Sequence, residues 1–533
     1  MSYEVIQSVG NYKYIYLVES YRNDSGQPRQ KRVPIGKIDS ESGEKVYKPW
    51  YLERLRGMGV PINVPSTEAL FSTGDIAKSV VRSYGLFHLL HGVSCQNGLE
   101  AAISKAFPDC WMELFTLACF MVSTSDPLMY CKDWIQETES FPVSSMASQR
   151  ISELLSAIRP EQREHFYELW SDFRSEHEYL ALDITSESSY SELIDDMKWG
   201  YNRDHETLPQ VNVCMLMGEK SRLPVYQTVY SGSLKDVSTL VTTLTKFDVV
   251  RKGTSNPTIV MDKGFYSHHN VTRMLGDKDH TPIHFVIAVP FTAAFARNQV
   301  ESERKDIDRV ENTIIINGSS MRAVTKERVW DKEHSVYTHI YYNAKKANGV
   351  REDLFSKITV MRKAAERNPA EHIGSNEYSR YLNIRQSGKN TIRYTVSIRN
   401  DVIEKELETA GWVVIISNDV SSAKEAIQIY RDKDVVEKGF FRMKNCIDLG
   451  KIRMHSQESM ENKQFLGFLA TVIMSELNRG MCEKELYRIY TMKELLKVVQ
   501  KQRIQDINGK RIINPTTKEQ RLIYEAFDLE TPM

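Results

Sequence analysis

The chain has 533 residues, 41% of them hydrophobic and 26% charged, and its Lys and Arg balance its Asp and Glu at a formal net charge of zero. That length and composition suit a soluble globular protein of three or four domains, at roughly 150 residues each, and the neutral balance speaks neither for nor against a nucleic-acid partner. Seven dispersed cysteines without a Cys-x-x-Cys pair exclude a disulfide framework and a zinc finger; no apolar stretch, Phe465–Ile473 included, is long enough to span a bilayer; and the Met1-Ser-Tyr-Glu-Val5 start lacks a secretory leader.

Residues 1–65 form the first region. Tyr12–Tyr21 is aromatic and β-branched, Asn23-Asp-Ser-Gly26 is turn chemistry and Arg29–Ile38 returns as a basic strand, which predicts a β-hairpin over 11–38. Its net charge of +3 favours phosphate contact, and Pro61–Pro65 reads as a linker. Residues 66–170 turn helical, with segments at Gly74–His91, Ala101–Val122 and Ser148–Ile158. Their net charge of −6 leaves two readings open, a helix-turn-helix that binds DNA ends or a structural or subunit-contact role.

Residues 171–295 alternate strands and helices. Tyr179–Thr185, Val211–Met217, Leu223–Tyr230, Thr258–Met261 and Ile283–Pro290 read as strands, and Leu234–Phe247 and His268–Leu275 as helices. That order predicts an α/β core with antiparallel strands first and parallel strands later. Residues 296–424 interrupt it as a β-rich insertion, with strands at Thr313–Ile316, Val336–Tyr342 and Ile392–Ile398 and a charged helix at Arg351–Arg367; Trp412–Ile416 re-enters the core. Residues 425–480 complete the core with two helices. The 481–533 tail carries a basic amphipathic helix, Met492–Ile504, whose surroundings at +6 over 484–521 lean towards DNA over plain solvation.

Three carboxylates stand apart. Asp183 ends Tyr179-Leu-Ala-Leu-Asp183, where it either points into a site or starts a turn over Thr185–Ser189. Asp262 ends Thr258-Ile-Val-Met-Asp262, followed by Gly264 and by Ser267 as a helix cap, so that it either points into a site at the C-terminal edge of a sheet or makes an Asx-turn in a βα loop. Glu437 stands in a helix in which Tyr430, Lys433, Glu437 and Lys444 recur at intervals of three, four and seven, on one face, which is either an ordinary charged, solvated face or a set of polar groups held on a packed helix. Three clustered carboxylates repel one another unless cations neutralise them. A pair of divalent ions held this way cuts and rejoins phosphodiester bonds, with Mg²⁺ leaving room for water and phosphate oxygens. Tyr430, Lys433 and Lys444 then hold the strand. His268-His269 reads as an exposed first helical turn, and Cys214 and Cys446 as buried small hydrophobes.

These residues resemble the DDE transposases of bacterial insertion sequences, in the subgroup with the signature Tyr-x2-Arg-x3-Glu-x6-Lys. Tyr430, Lys433, Glu437 and Lys444 match it with Lys at the Arg position, and Arg431 lies beside it as a substitute. Leu182-Asp-Ile-Thr185 looks like the family's first Asp motif, Asp262-Lys-Gly-Phe265 like its second, and Gly232-Ser-x-x-Asp236 like an element between them; Arg203-Asp204 through Leu208-Pro-Gln210 is also familiar. The resemblance implies an RNase H-like core with a β-rich insertion between Asp262 and Glu437, flanked by the N-terminal hairpin and helical region and a helical tail. It implies two Mg²⁺ ions per site (Mn²⁺ as a substitute) on Asp183, Asp262 and Glu437, and binding, nicking and joining of the element's terminal inverted repeats to target DNA. It also implies a homodimer at synapsis, with no membrane partner, in a bacterial or archaeal cytoplasm at the nucleoid. Trp330 either stacks a flipped base, as in hairpin-forming relatives, or is an ordinary core residue. A transposase-derived DNA-binding protein and a stand-alone metal-dependent nuclease are the alternatives.

Overall fold

The computed structural model describes residues 2–9, 12–23, 27–39, 43–58, 79–143, 145–172, 178–191, 193–251, 257–276, 281–388, 392–447, 449, 451–454, 456–507 and 510–532. The Pro61–Pro65 linker, the turn residues 24–26 and the start of the Gly74–His91 helix lie outside these. The chain divides into two units, Met1–Val80 with Gln505–Ile512, and Val81–Ile504 with Ile513–Met533.

The smaller unit contains more than a hairpin. β1 (Ser2–Val9), β2 (Tyr12–Arg22), β3 (Pro28–Ile38) and β4 (Lys45–Tyr47) form an antiparallel sheet in that order, followed by a helix at Pro49–Gly57. β1 escapes a sequence reading because it is a largely exposed edge strand with no clear apolar face. Ile15, Leu17, Ile35 and Tyr51 make the small core. Arg29, Lys31, Arg32 and Lys37 on β3 are exposed, as are Tyr12 and Tyr21 on β2.

In the larger unit, β5 (Val80–Ser83) precedes six helices: Gly85–Gln96, Leu99–Ala106, Trp111–Ser123, Cys131–Glu137, Ser148–Ala157 and Pro160–Asp172. The expected Ala101–Val122 helix is two helices, because Pro108 lies between them and cannot continue the first. Trp111–Ser123 is buried almost throughout and packs on the long Gln457–Glu483 helix, so it offers no face to a DNA groove. Polar ties join the same layers: Arg163 to Glu461 at 2.6 Å, and Asn462 Nδ2 to the carbonyls of Leu155 and Ile158 at 2.7 and 2.9 Å. Among the described residues, no single helix is long and apolar enough to cross a membrane.

A nine-stranded sheet lies at the centre. β6 (Leu180–Ser188), β7 (Gln210–Gly218) and β8 (Pro224–Ser231) are antiparallel neighbours; β9 (Ile259–Met261) and β10 (Phe285–Ala288) then run parallel to β6 on its other side. The order β8-β7-β6-β9-β10, with helices Asp236–Arg251 and His268–Leu275 as the crossovers, follows the expected sequence of antiparallel then parallel strands. The next stretch corrects the reading of 296–424 as wholly inserted. β11 (Thr313–Ile316), β12 (Ser319–Val329) and β13 (Ser335–Tyr342) join the same sheet, through β16 (Trp412–Ser417) beside β10. Between β13 and β16 lies a satellite with its own core of Leu354, Ile358, Met361, Tyr381 and Ile403, built from the Ala344–Arg367 helix, β14 (Leu382–Ser387), β15 (Arg393–Ile398) and short helices. The tail is not wholly helical: the basic helix stops at Gln500, strands follow at Arg503–Ile507 and Lys510–Ile513, and a last helix spans Lys518–Ala526.

Candidate active site

Asp183 is not at a strand end. It is the fourth residue of β6, and Thr185–Ser188 continue the strand instead of turning. The run stays extended because its polar groups have partners: Ser186 Oγ bonds Asn212, Ser188 Oγ accepts from Asn202, and Glu187 accepts from Gln464. What ends beside Asp183 is its neighbour. β9 pairs with β6 from Leu180–Ile259 as far as Leu182–Met261, so Asp262 follows at the level of Asp183, and adjacent parallel strands put their Cα atoms about 4.8 Å apart.

The third carboxylate arrives on a broken helix. Ala423–Asp432 ends at Lys433, Asp434–Phe441 follows, and Arg442–Cys446 winds into a π-turn. The even helical face expected through Lys444 is therefore interrupted twice, a pattern common at functional sites. Gly439 lets the middle helix press on β7, where a Cβ would run into Met217 Sδ. Glu437, two residues earlier, remains largely exposed.

These elements gather Asp183, Asp262, Tyr430, Lys433 and Glu437. The Tyr430 hydroxyl donates to Asp262 Oδ1 at 2.6 Å. The buried Lys433 Nζ lies 3.9 Å from Asp183 Oδ2 and 3.6 Å from Glu437 Oε1, standing between two carboxylates as a cation. Burial raises the Asp183 pKa, against the pull of Lys433, the Ile184 N–H and Arg203, and Asp262 adds to the rise. Burial and the carboxylates of Asp262, Asp183 and Glu437 all hold the Tyr430 hydroxyl protonated. Lys444 pairs with Asp204 at 2.5 Å. Arg431 is exposed, and its charge registers at Tyr341. Trp330 is neither core nor open: it is half-buried, donates to Thr272 Oγ1 at 3.0 Å and stacks on His268 with centroids 4.7 Å apart. His268 and His269 are exposed behind the Ser267 cap, Cys214 is buried, and Cys446 is only partly so.

Sequence reading gave no role to four residues here. Arg203 pairs with Asp236 and donates to Ser186 Oγ at 3.4 Å; Asp236 Oδ2 lies 3.8 Å from where a Cβ on Gly264 would stand, next to Asp262; Asp204 holds Lys444; and Glu187 shares the Asp183 face of β6, fully buried. The period of two along β6 was the available signal for Glu187.

Hard carboxylate oxygens without His or Cys suit Mg²⁺ or Mn²⁺, and the ammonium between Asp183 and Glu437 marks where positive charge is already required. The three carboxylates do not each place an oxygen within 4.8 Å of the other two. As they stand, the three do not close around a single ion.

A family model described as "Transposase DDE domain" matches residues 174–473. The chain belongs to that family. The matched span of this transposase contains Asp183, Asp262 and the whole Tyr430–Lys444 segment. No curated protein matches it in sequence. A cryo-EM structure of a piggyBac transposase synaptic complex with hairpin DNA aligns over 84% of this chain and 83% of that one, at 10% identity and a TM-score of 0.36, a score too low to bear on the chemistry of the transposase described here.

Proposed function

We propose that the chain is an active insertion-sequence transposase that binds terminal inverted repeats, cleaves strands there and transfers them to target DNA, with Asp183, Asp262 and Glu437 as its metal-binding catalytic residues. One observation carries this reading: two aspartates at matching levels of adjacent parallel strands face a helix whose glutamate is bridged to one of them by Lys433. The β8-β7-β6-β9-β10 order supports an RNase H-like core. Asp183, Asp262 and Glu437 would hold two Mg²⁺ or Mn²⁺ ions, which would supply activation of the attacking oxygen and stabilisation of the leaving one.

The chain's own groups do the rest. Tyr430 orients the Asp262 carboxylate, and Lys433 holds Asp183 and Glu437 together in the free protein. Lys444 and Lys433 then turn to phosphate oxygens, with Arg431 on the exposed side. Trp330, carried on the turn after β12, supplies a flat face near the His268–Leu275 helix. The exposed basic residues of β3 in the 1–65 region are assigned to DNA contact, the 66–170 helices to scaffolding or dimer contact, and the 481–533 tail to DNA. The acting form is a homodimer on two transposon ends, in a bacterial or archaeal cytoplasm.

The test uses DNA ends from inverted repeats flanking the gene, with Mg²⁺ or Mn²⁺. Cleavage at the repeat boundary is expected, falling on the order of a thousandfold in Asp183→Asn, Asp262→Asn and Glu437→Gln while end binding persists. Specific binding without cleavage by the unmodified protein would replace this reading with a DNA-binding derivative. Cutting without joining would leave a nuclease.

A further inference from the structure

On the helical layer of the larger unit, the Gly85–Gln96 helix carries His91 and Cys95 four residues apart, hence on one face. Asn97 and Gly98 then turn the chain. Asn97 Oδ1 accepts from Leu99 N at 3.0 Å, and Gly98 takes φ +83°, a left-handed value suited to glycine. The Leu99–Ala106 helix thus starts by folding back, and Glu100 in its first turn reaches the same spot. Three donor atoms close a triangle there: His91 Nε2 to Glu100 Oε2 at 3.2 Å, Cys95 Sγ to His91 Nε2 at 3.3 Å, and Cys95 Sγ to Glu100 Oε2 at 2.6 Å. Among the described residues, no other group of three or more His, Cys, Asp or Glu residues places its ligand atoms within 4.8 Å of one another.

Packing fixes the imidazole. Phe87 stacks on it at 5.3 Å, and Phe115 and Phe141 meet it edge-on at 5.9 and 5.1 Å. We propose that His91, Cys95 and Glu100 bind one Zn²⁺ ion, with water as the fourth ligand. One nitrogen, one sulfur and one oxygen donor make a borderline-soft set that Zn²⁺ accepts in tetrahedral geometry and that Mg²⁺ and Ca²⁺ avoid. The site differs in chemistry from the carboxylate centre and does not depend on that centre's role. In the metal-free site the Cys95 thiol donates its hydrogen to Glu100 Oε2. Binding replaces the S–H bond with an S–Zn bond and releases that proton to solvent. The ion would staple the two helices across their Asn97–Gly98 turn.

The test titrates Co²⁺ into reduced, metal-free full-length protein. The expected result is one ion per chain with a thiolate-to-cobalt charge-transfer band and d–d bands of tetrahedral intensity, displaced by an equivalent of Zn²⁺ and not by Mg²⁺. The charge-transfer band should vanish in Cys95→Ser, and the affinity should fall at least about tenfold in Glu100→Gln, with unchanged circular dichroism showing that both variants fold. Absence of the band in the folded unmodified protein would overturn the proposal. So would a band that persists unchanged in both variants.

Discussion

Lys433 is the residue on which the site turns, because it neutralises Asp183 and Glu437 together from a buried position. Its ammonium is a point charge, whereas the signature it departs from carries a bidentate guanidinium. Lys433→Met is expected to leave Asp183 without its counter-charge, lowering stability by about 1–3 kcal/mol and abolishing cleavage. Lys433→Arg is expected to retain cleavage; paired urea melts and strand-cleavage rates check both. Glu187 makes a pH statement. Burial lifts its pKa to about 7, against a hydrogen bond from Gln464 and the charge of Lys444, and its Oε1 has no hydrogen-bond partner among the described residues. A carboxyl raised above its unfolded value binds its proton more tightly when folded, so stability falls as pH climbs from the unfolded value through about 7. Glu187→Gln should therefore stabilise the fold by roughly 1–3 kcal/mol at about pH 8 and by little at about pH 5. Chemical denaturation at both pH values measures the difference.

At the scale of elements, the close seat of the Asp434–Phe441 helix on β7 sets where Glu437 stands. Gly439→Val would force branched carbons into Met217 and lift the helix, an overpacking cost of about 1–3 kcal/mol. The expected outcome is a lower melting midpoint with a larger loss of cleavage than of DNA binding. The three- and four-residue steps from Tyr430 through Lys433 to Glu437 made their closeness legible in the sequence, since they survive the break at Lys433; the step on to Lys444 crosses a second break. The π-turn was not legible, because no Pro or Gly pair announces it. The mid-strand setting of Asp183, in place of the expected strand end, was not legible. Its strand continues through Thr185-Ser186-Glu187-Ser188, a polar run that reads as a turn until the partners from Asn202, Asn212 and Gln464 are in place. Partners so distant in sequence leave no local pattern.

Over the whole molecule, the alternation of strands and helices from 179 to 290 was enough to anticipate antiparallel then parallel strands. It could not show that β11–β13 extend the same sheet past β16, since strand neighbours far apart in sequence are chosen by packing and not by local propensity. The helical layer illustrates the same limit: its acidic balance left DNA contact open, and only the burial of Trp111–Ser123 against Gln457–Glu483 closes that helix to a groove. The central claim is that Asp183, Asp262 and Glu437 serve one pair of cations. Anomalous diffraction from crystals soaked in Mn²⁺, with transposon-end DNA bound, tests it most directly. Two peaks ligated by those three side chains, with the Lys433 ammonium moved off the Asp183–Glu437 axis, are expected. Ordered DNA ends with no Mn²⁺ on Asp183 or Asp262 would contradict it.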